Sequence, residues 1–223
     1  MLLKLIVQFA VLMAVLAALL FWPAGTFDWP GAWIFLGEFL VLGMAISLWL
    51  LRYDPALLRE RMGGAFQKGQ VAWDKVFMAI LPIIWFGWVA LMALDAKRWA
   101  ISHMPLALIV VGAILIPAGL YVVWLTFREN SFASTVVKIQ EGQTVITTGP
   151  YGIVRHPMYA GGALYMIGMP LLLGSWIGLA CLPVLVGGLM TRIPLEERTL
   201  REGLVGYDDY AARVRYRLVP GLW

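Results

Sequence analysis

Two short clusters in the last third of the chain hold side chains that could do chemistry. The first is GPYGIVRHPMYAGG, Gly149 to Gly162. Gly149-Pro150 and Gly152 mark irregular backbone, Arg155 and His156 stand at the entrance to an apolar run, and Pro157 suits the first turn of a helix, with Tyr159 two residues on. A helix N-terminus presents unpaired N–H groups and a partial positive charge, so an anionic group can be held there. The second cluster is Arg192-Ile-Pro-Leu-Glu196-Glu197-Arg198-Thr-Leu-Arg201, followed by Gly206-Tyr207-Asp208-Asp209-Tyr210. On one helix Arg192 and Glu196 share a face at i, i+4, while Glu197 is turned away by about 100°. Paired carboxylates near a helix exit can receive an ammonium or the hydroxyls of a ribose. The plainer readings are a basic, aromatic belt before a membrane span and a solvated helix end with ordinary salt pairs. The second is preferred for Arg198, Arg201 and Glu202, whereas Arg-His-Pro in one string exceeds what a belt needs.

The elements that must position these clusters are apolar. The chain has 223 residues, 61% hydrophobic and 13% charged, with a mean hydropathy of +0.82. Globular domains sit near half apolar and a quarter charged, so a water-soluble fold is excluded. Runs long enough to cross about 30 Å of hydrocarbon occur at Leu5 to Trp22, Ala32 to Leu51, Val76 to Leu94 and Pro105 to Leu125. A fifth stretch, Tyr159 to Met190, would be about 48 Å long as one helix. Its centre reads Met169-Pro170-Leu-Leu-Leu-Gly174-Ser175-Trp176, so it is expected to divide near Gly174 into a hairpin of two short helices. The fold expected is all-α integral membrane, with five to six transmembrane helices.

Charge sets the orientation. The first run exceeds a signal-peptide h-region and is expected to remain as a helix. With six segments and the N-terminus inside, one side receives every basic residue except Lys97 and Arg98, 15 of 17. By the positive-inside rule that side is cytoplasmic, together with both termini and both clusters. The formal charge of +4 therefore reports topology. No nucleic-acid module accompanies it. One cysteine, Cys181, excludes an intramolecular disulfide, and two histidines make a metal cluster unexpected. Between Arg128 and His156, Val136 to Gln140 and Gln143 to Thr147 read as two short β-rich runs about Glu141-Gly142, a small cytoplasmic hairpin. Arg192 to Trp223 reads as a helical continuation of the last span and a charged tail. Residues 1–127 thus form N-terminal membrane helices and 128–223 a core carrying both clusters. Glu38, inside the second span, is read as a packing residue, protonated or hydrogen-bonded, in preference to a catalytic one, beside a Gly37 that permits close packing. His103 is assigned no chemistry.

Taken together, GPYGIVRHPMYAGG, the EExxL pattern at Glu196 to Leu200, the Gly-and-Tyr segment at Gly206 to Tyr210 and the closing Arg217-Leu-Val-Pro220 resemble the isoprenylcysteine carboxyl methyltransferase and phospholipid methyltransferase superfamily of integral membrane enzymes. The resemblance covers the chain from Phe127 onward. It implies S-adenosylmethionine bound between the Arg-His-Pro-x-Tyr entry and the Glu-Glu helix, with no metal. Carried over, His156, Tyr159 and Gly161 line the cofactor pocket and Glu196 and Glu197 supply its polar end. Arg192 occupies the position, four residues before Glu-Glu, that the isoprenylcysteine enzymes use in catalysis. Arg155 matches the arginine of the first motif, and either guanidinium suits a carboxylate acceptor. The implied partner is a lipid or other lipophilic acceptor drawn from the bilayer. The Leu200 to Tyr210 interval is longer than the family pattern, so prenyl-protein specificity does not transfer directly. An amine, a phospholipid headgroup or a thiol stays open as acceptor. Two other readings stand beside this one. A sterol- or steroid-type NADPH-dependent reductase carries a related Arg-His-Pro-x-Tyr segment, though commonly with an acid where this chain has Gly161-Gly162. A membrane scaffold or transporter would be expected to show charged spans or internal repeats.

Overall fold

The computed structural model describes residues 1–223 as an all-helical bundle. Its helices are α1 (Leu2–Ala24), α2 (Pro30–Tyr53), α3 (Pro55–Arg61), α4 (Ala72–Ala93), α5 (Leu106–Glu129), α6 (Pro157–Leu173), α7 (Trp176–Ala180), α8 (Leu182–Gly203) and α9 (Tyr207–Arg213). A π-helical turn, Leu94–Arg98, extends α4. Five helical stretches are long and apolar enough to cross a membrane: Leu2–Ala24, Pro30–Tyr53, Ala72–Arg98, Leu106–Glu129 and Trp176–Gly203. The 17 residues of α6 reach about 25 Å at 1.5 Å each, short of the hydrocarbon thickness of about 30 Å.

Local chemistry sets the breaks. Gly174 stops α6 with φ 79°, a conformation that glycine reaches without a Cβ penalty. The Ser175 hydroxyl then caps α7 by accepting the Gly178 N–H at 2.8 Å. The expected division at Gly174 is therefore present, but the second limb is not short. After a break at Cys181 it continues through α8, and the stretch Trp176–Gly203 has 28 residues.

The expected β-hairpin at Val136 to Thr147 does not form, and no strand occurs there. Its turn is real: the Gln143 N–H donates to Gln140 O at 3.1 Å. The flanking backbone is engaged elsewhere. The Val137 N–H donates to Asp74 Oδ2 at 2.9 Å, Val137 O accepts the Val71 N–H at 3.1 Å, and Phe132 O accepts from Gln140 Nε2 at 2.8 Å. Groups tied to α4 and to side chains are not free for a ladder.

The central core joins Leu16 and Leu20 of α1, Phe35 of α2, Val89 and Met92 of α4, Ile116 of α5 and Met169 and Leu172 of α6. The contact between α5 and α6 is built on glycine. Gly112 and Gly119 on α5 face Gly161 and Gly168 on α6, and a Cβ on Gly161 would lie 2.6 Å from Gly119 O. A spacing of seven residues keeps each pair on one face, so the two backbones touch, as small residues allow between membrane helices. Gly37 does not serve this purpose, since a Cβ there would meet open space. Gly31 approaches the Leu172 carbonyl instead.

At the end of the bundle remote from the two motif clusters, Asp95 is fully buried. It accepts from Ser102 Oγ at 2.6 Å, Ser175 Oγ at 2.5 Å and the Ile177 N–H at 3.2 Å. This knot pins the α6–α7 corner to α4. Glu38 is half-buried, and its Oε2 has no hydrogen-bond partner. At the opposite end Leu5, Leu50, Leu57, Leu58, Phe127 and Ala133 bring α1, α2, α3, α5 and the following loop together. Arg61 stacks on Phe127 at 4.2 Å and donates to Ala133 O at 2.7 Å. Burial lowers its guanidinium to about 10, leaving it charged at neutral pH.

Candidate active site

Both motif clusters meet at this end. Pro157 opens α6, as the fixed φ of proline favours. The residues before it pair with the C-terminal segment: the Arg155 N–H donates to Tyr216 O and the His156 N–H to Arg217 O, each at 2.9 Å. Beneath this pairing lies Glu197 of α8, only 2% exposed. It accepts from Arg155 Nε at 2.7 Å, His156 Nε2 at 3.2 Å and Arg217 Nε at 3.2 Å. Arg155 also donates through Nη1 to Val214 O at 2.7 Å and Arg215 O at 2.9 Å. The arginine expected to face an acceptor is thus engaged with a carboxylate and two tail carbonyls, and Glu197 is enclosed by three basic side chains. These groups hold the tail against the entrance of α6.

Glu196 points the other way. Its Oε2 accepts the Tyr159 hydroxyl at 2.6 Å, and its side chain keeps 22% exposure. It lines a polar cleft, open to solvent, between the loop 130–146, the start of α6, α8 and α9. His156, Tyr159 and Glu196 share that lining with Lys138, Tyr151 and Tyr207. Tyr151 accepts from Asn130 Nδ2 at 2.7 Å, and its carbonyl accepts the Tyr210 hydroxyl at 2.8 Å. Burial pushes the Tyr151 phenol up to about 12 and raises Tyr207 and Tyr210 as well, so all three are neutral donors at physiological pH. The buried Tyr207 hydroxyl has no hydrogen-bond partner. Gly161, expected in the pocket, packs against Gly119 and does not line the cleft.

Arg192 lies on the far side of Tyr159. Its guanidinium carbon is 5.7 Å from the Tyr159 ring centre and 4.8 Å from that of Phe77. One Nη reaches Asp74 Oδ1 at 2.9 Å and donates to Thr135 O at 3.0 Å. Arg192 stands at one end of an open apolar groove between α4 and α8, walled by Phe77, Ile80, Trp85, Leu185 and Leu189 among others. Asp74 was invisible as a site residue in the sequence. Its one signal is an acid at the start of an apolar run, Val71-Ala-Trp-Asp74-Lys75, where a helix N-terminus favours negative charge.

The residues of the cleft fit a molecule that joins an aromatic base, a ribose and an amino acid. Phenol rings offer stacking surface, Glu196 can accept from hydroxyls or an ammonium, and Tyr207 has a hydroxyl in need of a partner.

A multi-pass helical bundle with a polar cleft and an apolar groove that adjoin at Tyr159 and Arg192 is the class that fold and site define. Residues 107–204 match the phospholipid methyltransferase family. Over 122 residues the chain is 30% identical to protein-S-isoprenylcysteine O-methyltransferase B of Arabidopsis thaliana, covering 53% of this chain and 59% of that protein. It is 29% identical to protein-S-isoprenylcysteine O-methyltransferase A of the same plant, with the same coverage. A stretch of 105 residues is 28% identical to nickel-cobalt-cadmium resistance protein NccN of Alcaligenes xylosoxydans xylosoxydans, 46% of this chain and 49% of that one. The matches therefore span between about half and three-fifths of these relatives. Over residues 107–204 the chain is thus similar to the isoprenylcysteine and phospholipid methyltransferase superfamily, in agreement with the resemblance of the two motif clusters.

Proposed function

We propose that this protein transfers a methyl group from S-adenosylmethionine to the carboxylate of a lipophilic acid at the cytoplasmic surface of a membrane. The observation that carries this reading is that the two cavities, lined by different residues, approach each other at Tyr159 and Arg192. Tyr159 lines the polar cleft, Arg192 stands at the end of the apolar groove, and only 5.7 Å separates guanidinium carbon from ring centre. Two substrates of opposite polarity can be brought together at that boundary, one from water and one from the bilayer.

Bound S-adenosylmethionine would supply a methyl group on a sulfonium, already a good electrophile. The chain's own part is positioning and exclusion of water. Glu196, held by Tyr159, orients the donor's polar groups, with Tyr207 adding a hydrogen bond. Arg192 Nε, a buried donor without a partner, would be available to the acceptor's carboxylate. An acceptor carboxylate arrives ionised, so taking the methyl group, with the electron pair of the broken S–CH₃ bond left on sulfur, would move no proton and would need no base from the chain. The O-methyltransferase names of the Arabidopsis relatives support an oxygen acceptor, and their isoprenylcysteine substrate matches an apolar groove ending in a cation. The cytoplasmic assignment rests on the basic residues, 15 of 17 of which fall on the site's side of the predicted topology.

The test uses purified protein in detergent with methyl-tritiated donor and S-farnesylated N-acetylcysteine. Label in an alkali-labile ester, released as methanol, is the expected result. Oxidation of NADPH with reduction of a sterol, and no ester, would replace this reading with the reductase one.

A further inference from the structure

Asp74 has no exposed surface, yet it carries a carboxylate into the first turn of a membrane helix. One oxygen is well satisfied: Oδ2 accepts from Gln70 Nε2 and from the Val137 N–H, both at 2.9 Å. The other is not. Oδ1 lies 2.9 Å from Arg192 Nη2, but without hydrogen-bond alignment, and both Oδ1 and Arg192 Nε lack a hydrogen-bond partner. The guanidinium is also buried, its side chain 7% exposed. The result is a paired but loosely aligned arginine with a free donor edge beside the groove.

The proposed reaction changes the charge at this point. An acid enters the groove as an anion and leaves as a neutral ester. Apart from Asp74, Arg192 would then be a buried cation with no anionic partner, held only by Thr135 O and two aromatic rings, an arrangement proteins avoid. Asp74 is placed to prevent it, anchored through Oδ2 while Oδ1 stays available. We infer that Asp74 is the resident counter-ion of Arg192, a positioning residue that pairs the guanidinium between turnovers and competes with the acceptor's carboxylate for it. This inference rests on the acid-methylating reading above. It gives Asp74 an effect opposite to that of a binding residue. Removing its charge strengthens the hold on the acid and slows release from the ground state.

Asp74→Asn tests this in the full chain, with S-farnesylated N-acetylcysteine as acceptor and S-adenosylhomocysteine as donor-site probe. The KM for the acid is expected to fall about fivefold and kcat about tenfold, the pattern of excess ground-state binding. Affinity for S-adenosylhomocysteine should stay within about threefold, since Asp74 does not line the cleft. A rise in KM, or no change in either constant, overturns the inference.

A second comparison does not depend on how well that variant folds. Arg192→Leu leaves Asp74 a buried carboxylate without its counter-ion, so the double variant Asp74→Asn/Arg192→Leu is expected to match Arg192→Leu in S-adenosylhomocysteine affinity and to be at least as stable. A further loss in the double variant would show that Asp74 acts through Val137 on the cleft loop, and would overturn the inference. Direct binding of the acid, followed by quenching of tryptophan fluorescence, separates this inference from the proposed reaction. Tighter binding to Asp74→Asn supports the counter-ion role even if the wild type transfers no methyl, and equal or weaker binding overturns it.

Discussion

The Tyr159 hydroxyl donates to Glu196 Oε2 at 2.6 Å, joining the first turn of α6 to α8 across the floor of the polar cleft. One carboxylate oxygen is thereby oriented, and the other lies 4.0 Å from His156 Nδ1. Tyr159→Phe should free the Glu196 side chain without altering its charge. A hydrogen bond to a charged group is worth about 1.5–3 kcal/mol, so donor affinity should weaken by about tenfold. Glu196→Gln, which removes the charge, should weaken it further. Calorimetric titration with S-adenosylhomocysteine measures both, and unchanged affinity in both variants would remove Glu196 from the donor site.

Glu197, next in sequence, has a different fate. Enclosed by Arg155, His156 and Arg217, it holds the C-terminal segment in place. Glu197→Gln leaves the Arg155 charge buried with only carbonyl partners, a loss of about 3–5 kcal/mol by analogy with other broken buried pairs. The tail should then detach. Faster tryptic cleavage at Arg213, Arg215 or Arg217, with a lower melting temperature in detergent, is the expected result. A variant as stable as the wild type and equally resistant would show that the tail is held by other contacts.

Gly161 and Gly162 separate packing from ligand binding within one motif. A Cβ on Gly161 would press on the Gly119 carbonyl, whereas one on Gly162 meets nothing within 4 Å. Gly161→Ala should destabilise by about 1–3 kcal/mol, the usual cost of overpacking. Gly162→Ala should be neutral or slightly stabilising. Thermal unfolding of the two variants side by side decides it, and equal melting temperatures would contradict the α5–α6 contact described above.

How far the sequence revealed this arrangement depends on the range of each signal. Membrane spans are legible because hydrocarbon thickness imposes a length on any apolar run, and the break at Gly174 is legible because the chain there needs a positive φ. Arg-His-Pro-x-Tyr and Glu-Glu are recognisable as strings, and the structure brings His156, Tyr159 and Glu196 to one cleft. The roles within those strings are not local. Whether Gly161 faces a ligand or a helix depends on Gly119, 42 positions earlier in the chain. Asp74 and Asp95 read as ordinary acids at helix ends until Arg192, Ser102 and Ser175 are placed around them. The β-branched residues Val136, Val137, Val145 and Ile146 suggested strands, but the partners of Val137 lie on α4.

Gly188 offers the most direct test of the apolar groove. It lines the groove on α8, and a Cβ there would meet no atom within 4 Å. A bulky side chain can therefore project into the space without moving backbone. Replacing a helix-interior glycine should also favour the helix, by up to about 1 kcal/mol. Gly188→Trp is thus expected to fold at least as stably as the wild type and to bind S-adenosylhomocysteine with unchanged affinity. If the acceptor's hydrocarbon lies between α4 and α8, KM should rise steeply for a farnesylated acid and little for one with a chain of a few carbons. Loss confined to long chains would make groove length the source of acceptor selectivity. Equal turnover of both acids by Gly188→Trp would move the acceptor out of this groove and leave Arg192 a structural ion pair.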